Sequence, residues 1–276
     1  TAVGGIIASL FLIPSWDKSI MTTGVAIYHS LSYKNLTRQQ FFSIFKFDAA
    51  KEKIKFYKEG LTTVVTITGD DSGNTTLLKN NGKVDAGVPT DGDGPSQADM
   101  VTQVLLGQLP LLLHKGEPEN ALVVGLGSGC TTGSVVRYPS IKSVKVCEIE
   151  KGVIDGDKFF EPPIDKDPLG GNGSPLNSQR NPLAERIKAI HTDGRNYLLT
   201  TKEKFDIIIS QPADPWVSGA SQLFTKEFWT LGSKHLKPNG LFCEWIQLYS
   251  ITPDYLGVLV NTFKQSFGKY ENGKKV

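Results

Sequence analysis

The chain has 276 residues, 39% of them hydrophobic and 21% charged, with a formal net charge of +2 at neutral pH. That length and balance suit one large α/β domain with a small extra module and exclude a disordered chain. Lysine and arginine are scattered and form no basic patch, which excludes the electrostatic footprint of a nucleic-acid binder.

From Ala2 to Pro14 the chain is almost wholly apolar, followed by Trp16-Asp17-Lys18. A membrane span needs about 20 apolar residues, so this stretch is too short to cross a bilayer alone. Residues 1–18 read as the end of a membrane or linker helix, with Trp16 at the interface and Lys18 in water, or as a buried amphipathic segment. A short helix is expected from Ile20 to about Leu36, and a β pattern from Phe41 to Val88. Within the latter, Lys53 to Lys58 alternates, Thr62 to Thr68 is rich in β-branched residues, and Asn80-Asn-Gly82 is a hairpin turn. Residues 19–94 therefore read as a small antiparallel β module that ends in the Asp/Gly/Pro cluster Pro89 to Pro95.

Residues 95–276 read as a second, Rossmann-like unit. It begins with an amphipathic helix, Gln97 to Pro110, that places Asp99 and Gln103 on one face. The run Ala121-Leu-Val-Val-Gly-Leu-Gly-Ser-Gly-Cys130 is then a strand buried on both faces followed by a glycine turn. A helix and a second strand, Val144-Lys-Val-Cys-Glu148, complete a nucleoside-binding βαβ unit. Gly125, Gly127 and Gly129 let the backbone approach a ligand without Cβ clashes, and Glu148 ends its strand where ribose hydroxyls need an acceptor. Dinucleotide sites space the third glycine three residues after the second. Here it follows after two, with Gly133 as a less regular alternative, and this favours a sulfonium nucleoside with no phosphate to hold.

Pro162 to Pro182 contains five prolines and three glycines and reads as a lid or an insertion. Strands are expected at Ile187 to Ile190, Phe205 to Ser210 and Leu241 to Trp245, with helices at about Thr225 to Leu236 and Pro253 to Phe267. Pro238-Asn-Gly240 reads as a turn. Ligands of open parallel sheets lie at the carboxyl ends of the strands, and those ends carry Gly125 to Gly129 with Ser128, Glu148, Asp193-Gly194 and Asp214. Asp193 is either an acceptor for an adenine amino group or a turn former; Asp214, before Pro215, is either a cleft acid or an Asx-turn. Cys130, Cys147 and Cys243 show no Cys-x-x-Cys pairing and read as buried free thiols of a reducing compartment, with no disulfide and no metal site.

Gly-Leu-Gly-Ser-Gly129, Cys-Glu-Ile-Glu150, Thr-Asp-Gly194, Asp214-Pro and Leu223-Phe-Thr-Lys-Glu-Phe228 together resemble the polyamine aminopropyltransferases, the spermidine synthase family. Asp99-Met-Val-Thr-Gln103, Asp193-Gly-Arg-Asn-Tyr197, Asp214-Pro-Trp-Val-Ser-Gly219 and Trp245-Ile-Gln-Leu-Tyr249 are similar to the branch fused behind a membrane domain. The resemblance covers roughly Ile54 to Phe267. It implies an S-adenosylmethionine-type methyltransferase fold and transfer of an aminopropyl group to an amine acceptor, without a metal. The co-substrate it implies is decarboxylated S-adenosylmethionine, with intact S-adenosylmethionine as the other option. Glu148 would bind the ribose, Asp193 the adenine and Asp214 the amine; Gly125, Gly127, Ser128, Gly129, Gly194 and Gln103 complete the nucleoside side, and Asp99 and Gln211 stand with Asp214 in the catalytic set.

The chain departs from the family at Gln211, where an acid normally stands three residues before the Asp-Pro acid, and at Gln97-Ala98, where a Tyr-Gln pair is common. A neutral amide cannot take a proton or pair with an ammonium as a carboxylate does, but it tolerates a substrate carboxylate. The family's further C-terminal hairpin is not expected after Phe267; either the sequence is a piece trimmed at both ends or the uncovered strand edge is covered by a partner, and a homo-oligomer, a dimer, is expected. The resemblance places the domain at the cytoplasmic face of a membrane, or in the cytoplasm as an isolated domain. The alternatives are a methyltransferase and a non-catalytic nucleoside-binding domain of a membrane protein.

Overall fold

The computed structural model describes residues 17–25, 27, 36–60, 62–69, 75–89, 97–160, 175–177, 181–217, 219–249, 251–268, 270–271 and 274–275. The apolar start and most of the Pro/Gly-rich insertion lie outside the described residues. Among the described residues no helix is long and apolar enough to cross a membrane.

The first half departs from the expected pattern in one place. Of the helix expected from Ile20, the described residues show the short α1, Lys18–Met21, capped by Asp17, and helical residues at 25 and 27; the rest up to residue 35 lies mostly outside the described residues. Residues expected to start the β module instead form a second helix, α2, Arg38–Lys51. Thr37 and Gln40 set it: the Thr37 hydroxyl accepts from the Gln40 amide and the Gln40 side chain accepts from the Thr37 amide, a reciprocal capping box. Phe41, Phe45 and Ala49 then recur every four residues, the spacing of one helix face, with Phe45 and Ala49 buried. Aromatic content alone points to strand; the cap and the four-residue repeat decide for helix.

Four strands follow: β1, Lys53–Glu59; β2, Val64–Gly69; β3, Thr75–Asn80; and β4, Lys83–Pro89. They pair in sequence order as an antiparallel meander. Asn81 and Gly82, both at positive φ, make the tight turn between β3 and β4.

Helix α3, Gln97–Leu113, carries Pro110 in its last turn and leads to β5, Asn120–Val124. Next come α4, Cys130–Val136; β6, Ser143–Glu148; α5, Lys151–Gly156; β7, Ile187–His191; α6, Gly194–Thr200; β8, Phe205–Ser210; α7, Lys226–Lys234; β9, Leu236–Glu244; and α8, Pro253–Ser266. The five-stranded sheet runs in the order β7-β6-β5-β8-β9, and every pair is parallel. The order reverses between β5 and β8, so the crevice at the carboxyl ends of these two strands is the ligand position of an open α/β sheet.

Two details of the second half qualify the sequence pattern. Pro238-Asn-Gly240 lies within the span of β9 but bulges out of its ladder: the register shifts between the Phe205 and Ile207 pairings, and Asn239 takes positive φ. Proline survives there because β9 is an edge strand of the sheet. A two-residue ladder, β10 at Tyr270–Glu271 with β11 at Lys274–Lys275, follows α8 as a separate sheet and does not extend the five-stranded one.

Val65, Ile67, Leu78 and Val88 of the antiparallel sheet and Ala121, Val123, Ile207 and Ile209 of the parallel sheet belong to one buried cluster. The β module is thereby fixed over the parallel sheet, and β4 is brought to the rim of the crevice. Cys130 and Cys147 are buried free thiols and Cys243 is a partly buried one; burial pushes Cys147 up to about 12 and Cys243 up to about 11, so neither is a nucleophile at neutral pH.

Candidate active site

The turn after β5 has Gly125, Gly127 and Gly129 all at positive φ, a conformation in which a side chain is strained. Close packing adds to this at Gly129, where a Cβ would lie 2.2 Å from Pro175 Cδ and 3.2 Å from Asp157 Oδ1. Pro175 belongs to the Pro/Gly-rich insertion and is held by Asn181, whose side-chain amide donates to the Pro175 carbonyl at 2.9 Å. The described end of that insertion thus packs on the third glycine; the rest of the expected lid is outside the described residues.

Glu148, at the end of β6, lies beneath the turn. Its Oε2 accepts from the Leu126 amide at 2.8 Å and its Oε1 from the Glu150 amide at 2.9 Å. These bonds fix the carboxyl plane and leave each oxygen a second lone pair. Burial raises the Glu148 pKa, and the amide donors counter part of that rise. Glu150, the second acid of the Cys-Glu-Ile-Glu150 motif and not among the expected site residues, is buried and accepts from the Thr62 hydroxyl of the β1–β2 connection.

Gln211 and Gln103 brace the turn from opposite sides. Gln211 donates from Nε2 to the Gly125 carbonyl at 2.6 Å and accepts on Oε1 from the Thr131 hydroxyl at 2.7 Å. Both ends of its amide are therefore engaged by the turn and by α4. Gln103 accepts from the Ser128 hydroxyl through its side chain, and its backbone carbonyl, 3.2 Å from the Thr131 hydroxyl, is the more distant alternative to Gln211 as acceptor for that one proton. Asp99 lies at the start of α3, and its side chain is outside the described residues.

Asp193 caps α6, its Oδ1 accepting from the Asn196 amide at 2.8 Å. The capping role expected of a turn former is present, and the second oxygen is not used by that cap. A Cβ on Gly194 would meet Val124 at 2.5 Å, so the Asp-Gly pair sits against the end of β5 beside the glycine turn.

Asp214 is buried in the loop after β8 and is joined by groups from two distant segments. Tyr249 donates its hydroxyl to Oδ1 at 3.0 Å, and Lys83 of β4 pairs with Oδ2 at 3.3 Å. Lys83 also pairs with Asp85 at 2.6 Å. Burial acts against the Lys83 charge, but Asp85 and then Asp214 outweigh it and hold its pKa above the usual lysine range. Neither Lys83 nor Tyr249 was marked as a site residue by sequence reasoning. The tyrosine closes the Trp245 to Tyr249 motif, whereas the lysine carries no local signal beyond its place after the Asn81-Gly82 turn. Gln247, in the same loop as Tyr249, is buried with neither end of its amide hydrogen-bonded among the described residues.

A further buried acid, Glu244, ends β9. It accepts from the Trp229 indole at 3.0 Å and from the Ser210 hydroxyl at 3.2 Å, and burial pushes its pKa well above the ordinary glutamate value of 4.5. Folding then binds a proton that the unfolded chain releases above that value. Its contribution to stability is complete at low pH and is lost as pH rises through the folded pKa. Glu244→Gln keeps both bonding partners and removes the ionisation. The wild type is expected to lose thermal stability relative to this variant on going from about pH 5 to pH 8. Parallel unfolding curves of the two proteins across that range count against a neutral, buried Glu244.

The architecture is a Rossmann-like fold of the S-adenosylmethionine-methyltransferase type with an antiparallel module in front of it. The model of the spermine/spermidine synthase domain matches residues 99–271, well over half of the sequence, and the chain belongs to that family. It is 30% identical over 168 residues to a spermidine synthase of Dictyostelium discoideum, covering 58% of this chain and 54% of that protein. A polyamine aminopropyltransferase of Buchnera aphidicola is 31% identical over 145 residues, covering 52% and 45%. The chain thus spans about half the length of the curated relatives it matches.

Among solved structures, a spermidine synthase in complex with the transition-state analogue AdoDATO superposes with a TM-score of 0.61 at 18% identity, covering 78% of this chain and 65% of that one. The spermidine synthase of Thermotoga maritima gives 0.59 at 18% identity, covering 78% and 64%. These two likenesses establish the fold. Among the described residues no cluster of three or more metal-ligating side chains occurs.

Proposed function

We propose that the chain is an aminopropyltransferase-like domain that takes decarboxylated S-adenosylmethionine, or its carboxylated parent, and an amine acceptor. The observation that carries this reading is the buried Glu148 carboxyl fixed beneath the three-glycine turn, with Asp214 at the neighbouring strand end. Glu148 is the acceptor assigned to the ribose hydroxyls, Asp193 the acceptor for the adenine, and the turn braced by Gln103, Ser128 and Gln211 the cradle of the sulfonium tail.

The chemistry required of the chain is alignment. The amine nitrogen forms a C–N bond to the aminopropyl carbon while the C–S electrons return to sulfur, releasing methylthioadenosine; the new ammonium then gives up a proton, for which Asp214 is the assigned acceptor. The sulfonium is already a good leaving group, so no Lewis acid is needed for this step. Pairing of two copies along the β9 edge and attachment behind a membrane domain belong to the same proposal.

Methyl transfer is the second reading, favoured by Gln211, which puts a neutral amide where a carboxylate would repel intact S-adenosylmethionine. Incubation with each donor and a panel of amines, with mass detection of the nucleoside product, separates the two. Methylthioadenosine is the expected product. Adenosylhomocysteine would establish the methyltransferase, and neither product with nucleoside bound would leave a binding domain.

A further inference from the structure

The turn between β3 and β4 is set firmly against the rest of the protein. A Cβ on Gly82 would lie 2.4 Å from the backbone nitrogen and 2.6 Å from the Cα of Gly24, so the hairpin tip rests on a backbone wall. Midway along β4, a Cβ on Gly127 would touch Ala86 at 3.9 Å, which ties the strand to the glycine turn. Lys83 is therefore delivered by a braced strand, and its ammonium lies 2.6 Å from Asp85 and 3.3 Å from Asp214. Its side chain is 18% exposed and that of Asp214 only 5%.

An ammonium on the carboxylate assigned to the acceptor is what a bound amine would itself supply. The two acids and the lysine sum to one formal negative charge, and Gln211, the position at which an acid could restore a second, spends its amide on Gly125 and Thr131. We infer that Lys83 is a specificity-determining residue on the acceptor side, filling one cation position at Asp214 so that the pocket takes an amine with a single cationic group and disfavours a diamine. The inference rests on the proposed amine site at Asp214 and names its substrate class. A second substrate ammonium would have to displace Lys83 from Asp214 or stand beside it, and like charges at that distance repel.

The test is calorimetric binding of butylamine and of butane-1,4-diamine to protein saturated with methylthioadenosine. Wild-type protein is expected to bind the diamine no better than the monoamine. Lys83→Met should shift the ratio at least tenfold toward the diamine, and Lys83→Arg should restore the wild-type ratio. A purely structural lysine would change stability without moving this ratio. Wild-type protein that prefers the diamine by tenfold overturns the inference even if Lys83→Met fails to fold, and so does an unchanged ratio in a folded Lys83→Met. Failure of the wild type to bind methylthioadenosine at all overturns the proposed function and this inference with it, whereas nucleoside binding with an unshifted ratio overturns the inference alone.

Discussion

Asp214→Asn is expected to lower transfer from the sulfonium nucleoside by a factor on the order of 10²–10⁴ and to leave methylthioadenosine affinity nearly unchanged. The substitution keeps the shape of the side chain and an oxygen for the Tyr249 hydroxyl, which donates at 3.0 Å. Lys83 keeps Asp85, its nearer partner at 2.6 Å, so the hairpin tip retains an anchor. What disappears is the charge and the capacity to take a proton. The nucleoside side is held by other groups: Glu148 under Leu126, and Gln211 on Gly125. Binding and chemistry should therefore separate in single-turnover kinetics and calorimetry on the same protein. Full turnover in a folded Asp214→Asn variant would reduce Asp214 to a loop-holding residue that pairs Lys83 and Tyr249, and the proton would have to leave by another route.

How much of this was legible in the sequence follows from the range of the interactions involved. The β5–turn–β6 unit was legible because each signal is local: an apolar run buried on both faces, glycines at positive φ, and an acid closing the next strand. The parallel order around it followed from the alternation of strand and helix. Helix α2 was not, since Phe41 to Phe47 carries a strand-like composition, and the decisive signal was the three-residue spacing from Thr37 to Gln40. The span of β9 across Pro238 was missed because Pro-Asn-Gly has turn chemistry, which at the sheet edge makes a bulge and does not end the strand. At the site, Asp214 was legible from its Asp-Pro turn, but its partners were not. Lys83 and Tyr249 reach it from far along the chain in either direction, and that meeting depends on how the two sheets pack.

The same limit applies to Gln211, whose residue type suggested a lost carboxylate while its contacts describe a brace. Gln211→Glu is expected to destabilise the protein by about 1–3 kcal/mol and to weaken nucleoside binding, in addition to any change in acceptor choice. The Nε2 group donates to the Gly125 carbonyl at 2.6 Å, so a carboxylate there would set one acceptor against another and leave the carbonyl unpaired. Turning the side chain over does not help, because the Thr131 hydroxyl can donate to one oxygen only. The turn would have to move, and a Cβ-free contact between Gly125 and Gln211 leaves little room: even an alanine Cβ at Gly125 would lie 3.0 Å from the Gln211 carbonyl. The shorter Gln211→Asp withdraws from both partners and is expected to lose the brace as well. Thermal unfolding with and without methylthioadenosine measures both effects. If Gln211→Glu unfolds at the wild-type temperature and binds the nucleoside with wild-type affinity, the amide is not a brace, and the neutral residue at this position would be explained by the choice of substrate alone.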